Sequence, residues 1–254
     1  GRVAFIGRIA DDEYGRKIKV AFLEAGVDVS WGLEVVAGAR SQFAFCVAEA
    51  GTGRRAIFWR PPSVGQLDPD QIDLARATDT AVALVDGHHI HASVALARAC
   101  NERGIPVVSD LERPREVLPE LLRLCDWPIL PIDFALALAG TDDLDEAGQR
   151  LCDMARGQVI VTMGTNGSVA FTPAGRHYQP AFEITPVVDT TGAGDVYHGA
   201  FAYALARGAN LFEAMRFASA AAALSCRALG GRAGLPTIDE VRALLARGER
   251  MCPE

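Results

Sequence analysis

Asp189-Thr190-Thr191-Gly192-Ala193-Gly194-Asp195 runs directly into residues 196–205, an apolar stretch rich in small residues that predicts a helix. Two glycines and an alanine ahead of a helix leave its first backbone N–H groups uncovered, and the helix dipole adds partial positive charge there. A helix start of that kind holds anions. Asp195 is out of place at such a mouth, because a carboxylate repels an anion unless it takes a proton from the group that attacks it. The combination points to phosphoryl transfer. A plainer reading of the same residues is a tight turn with Asp195 as a first-turn acid that complements the dipole.

Working outward, the 254 residues are 50% hydrophobic, enough to bury a sizeable core as one large α/β domain. The formal net charge of −7 argues against a nucleic-acid partner or an anionic membrane surface, while leaving room for a local basic pocket. Lys17 and Lys19 are the only lysines, so no GxxxxGK[ST] loop is present. The cysteines at 46, 100, 125, 152, 226 and 252 are scattered singly, mostly in apolar patterns. That spacing suits core cysteines of a reduced, cytoplasmic protein. No apolar run reaches membrane-spanning length.

Upstream of the quoted stretch, residues 3–6 predict a strand ending at Gly7, after which Asp11 or Asp12 caps a helix that turns Ile18, Phe22 and Leu23 inward and stops at Gly26. Residues 41–60 predict an antiparallel hairpin, with Phe43, Phe45 and Val47 alternating, a turn at Gly51-Thr52-Gly53, and Pro61-Pro62 ending it. The GxGxxA match at Gly51 lacks the strand before and helix after that a dinucleotide site needs. From Asp79 onward, strands at 81–85, 105–109, 127–130 and 159–162 alternate with helices at 89–103, 115–124 and 134–156, the last broken at Gly140. This pattern predicts a parallel sheet covered on both faces, with ligands at the strands' carboxyl ends. His88, His89 and His91 cluster at one such end, where their spacing suits a loop rim or solvated side chains better than zinc. Asp110, at another, reads equally as a substrate contact, a partner of water-coordinated Mg²⁺ or a helix cap. Thr162-Met163-Gly164-Thr165-Asn166-Gly167 reads as a turn between strands, with Asn166-Gly167 a hairpin pair.

The whole DTTGAGD string, with its helix, resembles the signature of the ribokinase/PfkB carbohydrate kinase family, and the likeness covers nearly the whole chain. It implies a ribokinase-like α/β fold, a mostly parallel sheet with a small β lid: residues 1–40 begin the core, 41–62 form the lid, and 63–254 carry the nucleotide and substrate sites. The segment from Arg2 to Arg16 is similar to one that lies some way into the family's chain, so a preceding strand holding part of the sugar site is expected. By the same resemblance Asp195 is the general base, and the N–H groups around Gly192, Ala193 and Gly194 stabilise the transferring phosphoryl group. A TxGxxG turn (Thr162, Gly164, Gly167, with Thr165 and Asn166) lies beside the ATP phosphates and ribose. The helix carrying Ala218 and Ala222 borders the adenine. From their positions at strand ends and on the helix, His88, Asp110 and His198 join Asp195 as candidate substrate contacts, with His198 reading equally as a packed or solvated side chain. By the resemblance Mg²⁺ neutralises the polyphosphate, and K⁺ is implied beside Asp189 and Thr191, with carbonyls of Ser225, Ala228, Gly230 and Gly234. A homodimer through the lid is implied as well. One departure stands out. The family's NxxE acid, which helps order Mg²⁺, is replaced by Pro131-Ile132-Asp133-Phe134, with Asp133 or Asp110 as possible substitutes. Within the family the chain looks most similar to ketohexokinase-like and sulfofructose-kinase-like members, which favours a ketose-type acceptor. A nucleoside kinase and a non-catalytic ligand-binding relative are the alternatives.

Overall fold

A computed structural model describes residues 1–48 and 55–247. The turn expected at Gly51-Thr52-Gly53, the GxGxxA match and the tail after Gly248 lie outside the described residues.

The strand predicted at 3–6 runs on through Gly7 as β1 (Val3–Ala10), because it finds a parallel partner in β2 (Val27–Val36), paired from Val3↔Val27 to Ala10↔Val36. β2 is not among the predicted elements, although Val27, Val29, Trp31, Leu33 and Val35 alternate at strand period. Between them lies α1 (Glu13–Glu24), capped by Asp12, whose Oδ1 accepts the Gly15 N–H at 2.8 Å. Leu23 is exposed, against expectation, and Gly15 is the only buried residue of α1, since a two-stranded sheet offers a helix only a narrow apolar surface. The lid hairpin forms as expected from β3 (Phe43–Ala48) and β4 (Arg55–Arg60), with Phe45 opposite Phe58.

A short helix, α2 (Leu74–Ala77), leads to the main sheet. Its strands are β5 (Ala83–Asp86), β6 (Val107–Asp110), β7 (Trp127–Pro131), β8 (Val159–Thr162), β9 (Ser168–Thr172) and β10 (Gly175–Gln179), in the order β10-β9-β8-β7-β6-β5. β5 to β8 are parallel, while β9 and β10 fold back antiparallel on one edge. Side chains along each strand alternate between the two faces. Val107, Leu130, Val161 and Phe171 pack under α3 (Ile90–Glu102), α4 (Leu118–Leu124), α5 (Ile132–Ala139) and α6 (Leu144–Met154). Their immediate neighbours Val108, Ile129, Ile160 and Ala170 face α7 (Ala193–Ala206) and α8 (Leu211–Ser225) on the other side. The break predicted at Gly140 is the left-handed cap that ends α5. The closing helix, α9 (Ile238–Ala246), packs on α8 through Val241 and Leu244. Among the described residues no helix is long and apolar enough to cross a membrane.

Candidate active site

α7 starts three residues before the predicted position, so the glycine turn itself forms its first turn. Gly192 is the N-cap, at φ 80°, and supplies no side-chain cap. Only glycine takes that conformation without strain, and an ideal Cβ there would also stand 3.1 Å from the Cα of Gly231. The N–H of Val196 donates to Gly192 O at 2.9 Å and that of Ala193 to Thr190 O at 3.2 Å. The Ala193 N–H expected to face a phosphoryl group is therefore engaged within the turn. Gly194 and Asp195 hold the remaining first-turn N–H groups, which have no acceptor inside the helix. Both residues are exposed, and the Cβ direction of Gly194 opens on empty space.

Asp189 holds this turn in place from beneath. Its Oδ1 accepts the Thr191 N–H at 2.9 Å and its Oδ2 the Gly230 N–H at 2.8 Å, while Val188 donates to Cys226 O at 2.8 Å. Thus the 189–192 turn is pinned to the loop that follows α8. That loop folds back on itself, with Gly234 packed directly on the Ser225 carbonyl. Asp189, Thr191, Ser225, Gly230 and Gly234, named in the sequence as cation ligands, are thereby gathered in one region.

Asp195 also stands at the rim of a cleft of about 530 Å³ between α7, α8 and the start of α9. Its walls are mostly apolar, from Val196, Ala200, Tyr203, Phe217 and Leu235, with Arg232 a cation on its wall. Phe217, Ala221 and Arg232 are not among the predicted site residues. In sequence they are indistinguishable from ordinary helix packing and loop residues.

A family model described as pfkB family carbohydrate kinase matches residues 1–238. The chain belongs to that family. A 5-dehydro-2-deoxygluconokinase of Shouchella clausii is 27% identical, the match covering 96% of this chain and 81% of the relative. An aminoimidazole riboside kinase of Salmonella typhimurium is also 27% identical, over 97% and 83% of the two chains. The Arabidopsis thaliana ribokinase, solved with ribose and ATP, superposes with a TM-score of 0.81 at 26% identity, over 96% and 82%. The chain is a sugar or nucleoside kinase of the pfkB family.

In this pfkB kinase the other sequence candidates divide. Thr162 ends β8 and residues 163–167 connect it to β9, with a single 3-10 turn at Gly164–Asn166. Gly167 is required by the chain itself, since φ is 81° and a Cβ would collide with the Gln179 carbonyl. Gly164, at φ 59°, faces open space, as a backbone that a ligand approaches closely would. None of these residues lines the Asp195 cleft. Ala218 is fully buried under the Phe201 cluster, so it packs the core and cannot border a nucleotide; Ala221 is the alanine of α8 that reaches the cleft.

The three clustered histidines diverge. His88 is exposed beside Asp86 (3.4 Å), whose carboxylate draws its pKa upward; His89 Nδ1 accepts the Leu67 N–H at 3.1 Å; His91 faces a groove with Pro69 and Leu74. His198, for which the sequence leaves a substrate contact and a packed side chain open, is a buried residue of α7. Phe134 sits in the core where the family's acid would stand, and Asp133 is exposed beside it. Among the described residues no three His, Cys, Asp or Glu form a group that could hold a metal ion. Mg²⁺ commonly keeps its waters and binds through substrate phosphates.

Proposed function

We propose that the chain transfers the γ-phosphate of ATP to a hydroxyl of a sugar-like acceptor, with Asp195 as general base. The observation that carries this reading is the exposed carboxylate in the first turn of a helix whose N-cap is a bare glycine. ATP supplies the phosphoryl group. The first-turn N–H groups of Gly194 and Asp195 stabilise negative charge on it, an arrangement that costs no reorganisation during the reaction. Asp195 accepts the proton of the attacking hydroxyl. Arg232, which lines the same cleft as Asp195, adds a guanidinium able to bond phosphate oxygens in pairs. Gly164 and its turn lie beside the ATP phosphates and ribose, and the loop carbonyls near Asp189 would hold K⁺, which would offset part of the phosphate charge.

Arg232→Met is expected to lower kcat/KM about tenfold or more, since a hydrogen bond to a charged group contributes about 1.5–3 kcal/mol. Steady-state kinetics at varied ATP check this, and an unchanged value removes Arg232 from the phosphate site.

The acceptor class is read from the family branch, which favours ketoses, and from the Shouchella clausii relative, whose name marks a sugar acid. A nucleoside acceptor is favoured by one specific feature, the apolar cleft walls with Tyr203 and Phe217, and by the riboside kinase likeness. ATP consumption across ketoses, sugar phosphates, sulfonated sugars, sugar acids and nucleosides decides among them. Tight ATP binding without turnover of any acceptor points instead to a regulatory relative, the role that Phe134 at the acid's position favours.

The exposed outer face of the lid supports a homodimer. Phe43, Phe45, Val47 and Phe58 all lie on it, with Phe45 59% and Phe58 66% exposed. Phe45→Ser combined with Phe58→Ser is expected to convert a dimer to monomer in sedimentation velocity. A monomer in the unsubstituted protein rules out the lid contact.

A further inference from the structure

His198 Nδ1 lies 2.7 Å from the Gly194 carbonyl. A carbonyl only accepts, so Nδ1 carries the hydrogen, and the neutral ring has a bare Nε2. That Nε2 faces Asp110 Oδ1 at 3.5 Å, with the two side chains 4% and 19% exposed. Both atoms are buried and neither has a hydrogen-bond partner. Two bare acceptors facing each other out of water repel, and each forfeits a bond it had in solvent. One proton between them satisfies both.

We propose that Asp110 and His198 hold one proton in common and act together as a positioning pair for the first turn of α7. The chain of contacts runs from the end of β6 through His198 to the Gly194 carbonyl, the residue immediately before Asp195. Three carboxylates also act against a charge on Asp110: Asp86 opposite it in the β5–β6 register, Glu112 in the following loop, and Asp195 on α7. An additional free carboxylate there would repel the phosphates. Burial already pushes Asp110 up to about 6, with His198 opposing the shift and Glu112, Asp195 and Asp86 adding to it. Without the shared proton the two acceptors repel, and the turn loses its prop.

Nitrogen-15 spectra of the histidine side chains, recorded from about pH 5 to about pH 9, read the pair without any substrate. His198→Gln assigns the signal by removing it. The expected result is an Nδ1 that stays protonated throughout and an Nε2 that titrates. In Asp110→Asn the amide donates instead, and Nε2 remains a bare acceptor in the upper part of the range. An Nε2–H tautomer with bare Nδ1, or the same titration in Asp110→Asn, overturns the proposal.

A second arm rests on the kinase reading and uses kcat against pH. Misplacing a reacting group by about 1 Å can cost about 10²-fold. Asp110→Leu is therefore expected to lower kcat about 10- to 10²-fold, with KM for ATP moving less than about threefold. Asp110→Asn should lose less and flatten the alkaline limb of the profile. Equal losses in the two variants with an unchanged limb overturn the positioning role. If no acceptor is phosphorylated at all, the kinase reading fails while the nitrogen spectra still decide the shared proton.

Discussion

Asp195→Asn is expected to lower kcat by about 10²- to 10⁴-fold, the contribution typical of a positioned general base. The substitution is close to isosteric, and Asp195 is exposed with Oδ2 3.7 Å from where a Cβ on Gly192 would stand, so the turn keeps its shape. What changes is proton affinity, because an amide cannot accept the proton of an attacking hydroxyl. The binding result separates this role from a capping role. A carboxylate at an anion site weakens anion binding, so removing its charge should leave ATP affinity equal or raise it. If Asp195 only complemented the helix dipole, the variant would lose about 0.3–1 kcal/mol of stability and keep its turnover. Single-turnover phosphorylation with calorimetric ATP titration measures both quantities. Undiminished turnover in Asp195→Asn removes the general-base assignment.

The parts of the fold that depend on local periodicity are legible in the sequence. The switch from Val107 to Val108, or from Ile129 to Leu130, across the two faces of the sheet is a period-2 pattern. Gly140 and Asp12 mark helix ends by conformational and capping preferences that act over a few residues. The signature turn is legible for the same reason, since Gly192 at positive φ and an acid three residues later are neighbours in the chain. What escapes is long-range pairing. Nothing near residue 110 indicates that its partner is His198, 88 positions away, and Asp189 reaches Gly230 across 41. Burial is equally hidden in α8, where Ala218 and Ala221 look alike in sequence although one is core and the other lines the cleft. Gly167 shows the reverse. A glycine that the family uses beside a nucleotide is also demanded here by the packing of β9 against the end of β10, so its presence alone is not evidence of a ligand.

Asp189→Ala is expected to produce the second large loss, in stability and turnover together. Asp189 is 5% exposed, and each carboxylate oxygen satisfies a different backbone N–H, Thr191 on the signature turn and Gly230 on the loop. Alanine leaves both donors without that acceptor, at about 1–3 kcal/mol apiece. For a chain of this size each kcal/mol shifts Tm by about 2–4 °C, so a fall of about 4–24 °C is the range to look for. Turnover should drop about 10²-fold, because the turn carrying Asp195 is no longer tied to the loop bearing Arg232. Asp189→Asn keeps one acceptor oxygen but turns an N–H donor toward the other backbone N–H, and should fall between the two. Potassium separates the strut from the cation ligand. If Asp189 acted chiefly by holding K⁺, raising K⁺ would restore much of the lost activity of Asp189→Ala by mass action. Because Asp189 ties the Thr191 and Gly230 N–H groups together, high K⁺ is expected to leave Tm and kcat of the variant where they are, and a rescue of kcat by K⁺ would reverse the assignment.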